Sequence, residues 1–329
     1  MDSLTQFLMG SVVGQCVIGP KHKGKGALMG GLAGTLPDLD VLPFLGSSIV
    51  TQLTQHRGLS HSLLFTFIAP LLLAWLCRRY LSWALSFQRW FIFWFLAFFT
   101  HILLDLMTTW GTQILWPFPA RFSLNSLFII DPLITLPLLI GVLLSLWRRV
   151  YHPAAWGLCI ASCYLCFSFG AHCYMSHFFA RVFEHHSLSV RTYMVRPTPF
   201  NTLFWAVTAR TNDDRLVFAY ARLWDEHQDI TLSSPMAQRS DLVSDFTQRS
   251  DVQQLLAITK GYYVIDKDAH SLTIQDARFG RFGGWRQGYS APFIFHYVLD
   301  TNTFRWSQYR PPLPDSSRLF SSLFSRIFD

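Results

Sequence analysis

Three short stretches carry the residues able to do chemistry. His101 and Asp105 stand four apart, which places both on one face of a helix. Asp38 and Asp40 follow a proline in Thr35-Leu36-Pro37-Asp38-Leu39-Asp40. His56, Arg57, Ser60, His61 and Ser62 crowd into residues 56–62. Imidazole nitrogens and carboxylate oxygens suit Zn²⁺ or another divalent transition metal, with zinc the leading choice. The set His56, His61, His101, Asp105, Asp38 and Asp40 suits one ion with supporting hydrogen bonds, or two ions.

Each signal alone has a plainer reading. A His-x₃-Asp pair commonly forms a structural hydrogen bond, Asp-x-Asp beside a proline is often a helix-end turn, and Arg57 could simply pair with Asp131. Their company gives them weight. Residues 1–177 contain only five acids, Asp2, Asp38, Asp40, Asp105 and Asp131, in a strongly apolar segment. An ionisable group there costs several kcal/mol, from about 2.5 upward, and persists where it pairs, binds an ion or lines a cavity.

The reaction class most compatible with such a site is hydrolysis, since a bound ion acidifies water and polarises an acyl or phosphoryl oxygen. Residues 1–177 hold no Glu, so a carboxylate base would be an Asp, here Asp38 or Asp40. Arg57 is a candidate clamp for an anionic group, and Arg121 could do the same. Ser60 and Ser62 flank His61 and raise a serine-nucleophile alternative, but no Gly-x-Ser-x-Gly elbow accompanies them.

The elements that must position these residues are apolar. Of 329 residues, 51% are hydrophobic and 14% charged, against about 25% charged in a typical soluble chain. That excludes disorder and argues against a wholly soluble protein. Residues 1–177 hold 10 Lys/Arg and 5 acids, whereas residues 178–329 hold 17 and 15. The pattern predicts a membrane-embedded helical domain over 1–177 and a soluble domain over 178–329. The net charge of +7 forms no basic stripe, so nucleic acid is not an expected partner.

Clear apolar runs lie near 62–77, 90–109, 132–147 and 154–176, with weaker glycine-rich runs at 4–19 and 26–46. Together they predict about six helices. Gly10 and Gly14, and Gly26, Gly30 and Gly34, recur every fourth residue, which lets helices approach closely in lipid. Asp2 stands where a secretory signal would carry basic residues, so the first run is expected to be retained. Basic clusters at Lys21/Lys23/Lys25, Arg78/Arg79/Arg89 and Arg148/Arg149 alternate with six spans and mark one side as cytoplasmic. The loops 47–60 and 110–131 and the domain after 177 then fall outside, periplasmic in a bacterium. All five acids fall on that outer side.

The polar domain reads as α+β with a small antiparallel sheet. Strand pairs are expected at Leu203–Thr208 with Leu216–Ala221, Gly261–Asp266 with Ser271–Gln275, and Phe293–Leu299 with Phe304–Tyr309, and a helix at Asp251–Ile258. Its histidines show no catalytic spacing. Residues Ser316–Phe328 form an amphipathic helix that either lies on the membrane surface or docks on its own domain. The six cysteines all lie in apolar runs and read as packing residues.

These stretches resemble the YdjM-like family of bacterial inner-membrane proteins, described as metal-dependent hydrolases and associated with the LexA regulon. The resemblance is carried by Met1-Asp2-Ser3-Leu4-Thr5-Gln6, Gly34 to Asp40, His56 to Leu64, His101 to Gln113, and Phe128-Ile129-Ile130-Asp131-Pro132-Leu133. It covers roughly residues 1–150. It implies a multi-span inner-membrane protein whose ligand candidates are His56, His61, His101 and Asp105, with Asp38 and Asp40 close behind. Some relatives carry His where this chain has Gln6.

The leading expectation is a membrane-bound metal-dependent hydrolase acting on a lipid-like ester or phosphoester at the outer face of the inner membrane. The bilayer and an amphipathic substrate are its expected partners. The alternatives are an ion-binding transporter and a non-enzymatic assembly or regulatory protein.

Overall fold

A computed structural model describes residues 1–22, 24–286, 291–312 and 316–328. Lys23, one of the basic residues that set the expected orientation, lies outside the described residues. The chain divides into two compact units. The first comprises Met1–Pro43, Gln55–Gly170 and Pro199–Asn201, and the second Phe44–Thr54, Ala171–Thr198 and Thr202–Asp329.

The helical elements are α1 (Ser3–Val17), α2 (Gly19–His22), α3 (Gly24–Thr35), α4 (Ile49–Gln55), α5 (Leu63–Tyr80), α6 (Phe87–Met107), α7 (Pro132–Arg148) and α8 (His152–His185). By length and composition, α5, α6 and α8 can each cross a membrane, and α7 is a shorter apolar helix. The expected run 26–46 is not one helix. Pro37 disfavours α geometry at the residue before it, so α3 ends at Thr35 and a 3-10 segment, Leu36–Phe44, carries Asp38 and Asp40.

Side-chain caps fix where the later helices begin. The Ser62 hydroxyl accepts from Phe65 N at 3.0 Å and starts α5. The Asp131 carboxylate accepts from Leu133 N at 3.0 Å and starts α7, with Pro132 at its first position. Asp131 also accepts from the Tyr164 hydroxyl at 2.9 Å. It is a cap, not the ion-pair partner of Arg57. Asp2 caps α1 through Thr5.

The glycines set the crossing of α1 and α3. A Cβ at Gly10 would lie 2.1 Å from the Gly30 carbonyl oxygen, and one at Gly14 would lie 2.1 Å from that of Gly26. Only hydrogen at these positions permits such backbone contact. The same device recurs between α7 and α8, where a Cβ on Gly157 would meet the Pro137 carbonyl at 2.6 Å. Helix α3 also packs on α6, and α1 on α6 and α7. The polar segment that follows α3 is thereby brought to the His101 end of α6.

The six cysteines are free. Cys159, Cys163, Cys166 and Cys173 are exposed on α8. This corrects the reading of them as core packing, because the helix turns that face away from the rest of the chain.

The second unit holds two antiparallel four-stranded sheets where one was expected. Strands β1 (Val190–Pro197), β2 (Phe204–Thr211), β3 (Arg215–Arg222) and β4 (Met236–Ala237) form the first in that order. Strands β5 (Tyr263–Lys267), β6 (Ser271–Arg281), β7 (Phe293–Asp300) and β8 (Trp306–Tyr309) form the second. The three expected hairpins are β2–β3, β5–β6 and β7–β8. The expected helix is α9 (Ser250–Ile258). Helix α10 (Ser316–Phe328) buries Leu323 and Ile327 against Phe204 and Trp285 of its own unit and exposes Phe324 and Phe328.

Candidate metal centre

Four side chains from three segments of the first unit converge. Asp38 comes from the 3-10 turn after α3, His61 from the 3-10 turn Leu59–His61, and His101 and Asp105 from α6. His61, His101 and Asp105 are fully buried, and Asp38 is partly exposed. One ligand atom from each lies within 4.8 Å of all the others, a grouping that could hold a metal ion.

Hydrogen bonding settles which atoms face inward. His101 Nδ1 lies 2.6 Å from the Gly34 carbonyl, which can only accept. The Nδ1 proton is therefore committed, and Nε2 presents a lone pair. The Ser60 hydroxyl donates to Asp40 Oδ2 at 2.8 Å, so its oxygen is left to accept from His61 Nδ1, also at 2.8 Å. His61 Nε2 thus presents a lone pair as well.

The two Nε2 atoms are 3.1 Å apart. His61 Nε2 is 3.2 Å from Asp105 Oδ2 and 3.4 Å from Asp38 Oδ1. His101 Nε2 is 3.6 Å and 3.5 Å from the same two oxygens. Asp105 Oδ2 is buried without a hydrogen-bond partner among the described residues. With both imidazoles neutral, four acceptor atoms face one another, a set that could hold a cation.

A proton fills that role in part. Burial alone would lower the His61 imidazole, but Asp105, Asp38 and Asp40 override it and push it up to about 10. Burial alone would raise the Asp38 carboxyl, yet His101 and His61 hold it well below the usual carboxylate range. Asp40 is held low in the same way by His56 and His61.

A surrounding layer fixes these ligands. Asp40 accepts from His56 Nδ1 at 2.8 Å through Oδ1, and from the Arg57 backbone N–H at 3.0 Å through Oδ2. Both oxygens are engaged, so Asp40 orients its neighbours. His56 lies outside the four-atom group, its ring centroid 5.7 Å from that of His61. Arg57 has a left-handed backbone, with φ at +62°, and its guanidinium is buried. Its Nη2 lies 3.0 Å from Asp105 Oδ1, and its Nη1 donates to Thr108 Oγ1 at 3.1 Å. The expected anion clamp is thus directed at a carboxylate of the chain itself. Arg121 donates to the His56 backbone carbonyl at 3.1 Å and 3.0 Å.

Four participants were missed or undervalued in the sequence. Gln6 Nε2 donates to Asp105 Oδ1 at 3.1 Å, alongside the Met1 amine. Ser60 acts as the relay between His61 and Asp40. The Gly34 carbonyl has no sequence signature beyond its glycine.

A buried His/Asp group on α6 and beside α5, two apolar helices of membrane-crossing length, describes a membrane protein with a polar centre. Residues 1–174 match the family described as YdjM inner membrane protein, and the chain belongs to that family. It is also similar to inner membrane protein YbcI of Escherichia coli (strain K12), 38% identical over 84 residues. That match covers 26% of this chain and 47% of YbcI, so the chain spans about half the length of this curated relative. No solved structure matches the chain.

Proposed function

We propose that this protein is a membrane-embedded metal-dependent hydrolase whose ion is held by Asp38, His61, His101 and Asp105. The observation that carries the reading is the shape of the acceptor cavity. Five of its six edges run from 3.1 to 3.6 Å, and the sixth, between the two carboxylate oxygens, lies within 4.8 Å. A tetrahedron of N and O ligands about 2.0–2.1 Å from zinc has edges of roughly 3.3–3.4 Å. The donor set and these five edges are compatible with zinc and with other divalent transition ions.

A bound ion of this kind supplies Lewis-acid polarisation and an acidified water. The protein's own residues do the rest. His101 and His61 keep their Nδ1 protons on Gly34 and Ser60, so both imidazoles stay in the ligating tautomer. His56 donates Nδ1–H to Asp40, which leaves Nε2 as a basic nitrogen, and the ring is partly exposed. That arrangement makes His56 the general base, with Asp40 orienting it. Arg57 neutralises Asp105 from the side away from the cavity.

The substrate class that fits is an ester or phosphoester with an apolar tail, because the centre is carried by α6 beside α5, both apolar, and a tail can arrive through lipid. We place the chain across the membrane several times, with residues 178–329 in the periplasm and the site at the outer face. One observation favours a second reading. Four protein ligands close a tetrahedron, as structural ions do, whereas a catalytic ion keeps a position open. In the hydrolase, Asp38, the one partly exposed member, would be the ligand nearest to solvent and substrate.

The test is metal content and esterase or phosphoesterase turnover of the detergent-purified chain, beside His61→Ala and His101→Ala. Near-stoichiometric metal that both variants lose, with turnover lost in parallel, is expected. Metal without turnover on any ester or phosphoester supports the structural reading. Substoichiometric metal in the parent, or unchanged metal in both variants, removes the site. A reporter fused after residue 329 tests orientation, and cytoplasmic activity there overturns it.

A further inference from the structure

The loop between α6 and α7 carries a surface that the metal centre does not explain. Residues 115–120, Leu-Trp-Pro-Phe-Pro-Ala, are all exposed, and none is charged. Phe118 is 67% exposed, and Leu115, Trp116 and Phe122 are exposed beside it. Such a run is costly in water and marks a surface made for an apolar partner.

The segment that carries His56 and His61 holds this loop in place. Thr112 and Phe122 exchange backbone hydrogen bonds at 2.9 Å, which closes the base of the loop. Gln113 N donates to the Arg57 carbonyl at 3.0 Å, and Leu63 N donates to the Ile114 carbonyl at 2.9 Å. Arg121 donates through Nη1 and Nη2 to the His56 carbonyl. The bonds therefore lie on both sides of the 3-10 turn Leu59–His61. Trp116 stands beside that turn: a Cβ on Gly58 would lie 4.0 Å from Trp116 Cδ1. Leu59, exposed within the turn, continues the apolar surface.

The position of the surface selects its occupant. A loop that only anchors the chain in lipid needs no fixed register with the metal centre. This loop is bonded to the segment that supplies the ligand His61 and the base His56. The apolar group that must lie beside those residues during reaction is the tail of an amphipathic substrate. Flat, stiff aromatic side chains suit it, since they bury a large apolar area with little entropy lost.

We propose that Trp116 and Phe118 grip the apolar tail of the substrate and make the protein selective for long-chain lipids over short-chain esters or phosphoesters. The head-group chemistry rests on the hydrolase reading. The tail contact needs neither ion nor turnover.

The experiment uses the full chain in detergent micelles with a trace of phosphatidylglycerol that carries a diazirine at the end of one acyl chain. Irradiation and peptide mapping are expected to show saturable labelling of residues 111–122. Excess dioleoyl phosphatidylglycerol competes, and the dihexanoyl form does not. Phe118→Ser and Trp116→Ala each lower the labelling about tenfold. Phe324→Ser, which replaces an exposed side chain of the second unit, does not. If Trp116→Ala melts early, Phe118→Ser carries the test, because its side chain is the more exposed.

Turnover of p-nitrophenyl esters from acetate to dodecanoate is the second readout. The KM of the parent falls with chain length, and Phe118→Ser raises it about tenfold for dodecanoate and far less for acetate. Saturable labelling that Phe118→Ser loses, without turnover of any ester or phosphoester, removes the hydrolase reading and keeps the tail site. Turnover without labelling of residues 111–122, or with equal labelling in parent and Phe118→Ser, overturns the tail site and keeps the hydrolase reading. A chain-length dependence of KM that both variants preserve also overturns the tail site.

Discussion

His61 and His101 point their Nε2 atoms at each other across 3.1 Å, and each has its Nδ1 proton committed outward, to Ser60 and to Gly34. Two facing lone pairs between two carboxylates attract either a proton or a metal ion. Without a metal ion, the surrounding carboxylates favour the proton on His61. Burial opposes it, the neighbouring carboxylates win, and the imidazole rises from an ordinary 6.5 to about 10. Because the folded value is the higher one, the proton's contribution to stability is complete below about pH 6.5. It drains away as pH rises through about 10. A divalent ion must expel that proton. Zinc affinity is therefore expected to rise with pH between these limits, with about one proton released per ion at neutral pH. Calorimetry in buffers of different ionisation heat measures this, and a proton count of zero would contradict it.

Arg57 sits on the far side of Asp105, at 3.0 Å from Oδ1. A residue that grips substrate affects KM, whereas one that neutralises a buried carboxylate affects folding. Breaking a buried pair by deleting one partner costs up to about 3–5 kcal/mol. Arg57→Gln is expected to lower Tm sharply with no substrate present. A variant with unchanged Tm and a raised KM would return Arg57 to the role of clamp.

The α1–α3 crossing reaches the metal centre through one carbonyl. A Cβ on Gly30 would sit 2.1 Å from the Gly10 oxygen, so Gly30→Ala must spread the two helices. Overpacking of this kind costs about 1–3 kcal/mol. Spreading also moves Gly34, whose carbonyl holds His101. Loss of both thermal stability and metal is expected. Gly170→Ala is the control, since nothing lies within 4 Å of a Cβ there. Equal metal content in the two variants would uncouple the crossing from the site.

The parts legible in the sequence are those with a local signature. Glycines four apart announced a close helix crossing, and hairpins announced themselves by turn residues such as Thr211-Asn212-Asp213-Asp214. Assigning those hairpins to two sheets depends on pairings distant in sequence, which local pattern does not encode. Strand β1 escaped because Val190–Pro197 has a polar, exposed first half and ends in proline. At the centre, residue types named the candidates but not their facing atoms. The direction of Arg57 follows from a left-handed backbone, and the support of His101 is a backbone carbonyl. Neither leaves a trace in residue identity.

His56 distinguishes ligand from base. Its Nδ1 is held by Asp40 Oδ1 at 2.8 Å, and it stands outside the group formed by Asp38, His61, His101 and Asp105. A ligand lost to glutamine takes the ion with it. A general base lost to glutamine leaves the ion in place and removes about 10²–10⁴-fold in rate. His56→Gln is therefore expected to keep its metal and lose kcat by that factor, with KM little changed. Asp40→Asn behaves differently, because Asp40 orients His56 and, through Ser60, His61. It is expected to lose the same rate and also about 10–100-fold in metal affinity, the usual effect of removing a group that orients a ligand. Metal analysis beside turnover separates the two variants. If His56→Gln loses its metal, then His56 is a ligand, and the base must be sought elsewhere in the cavity.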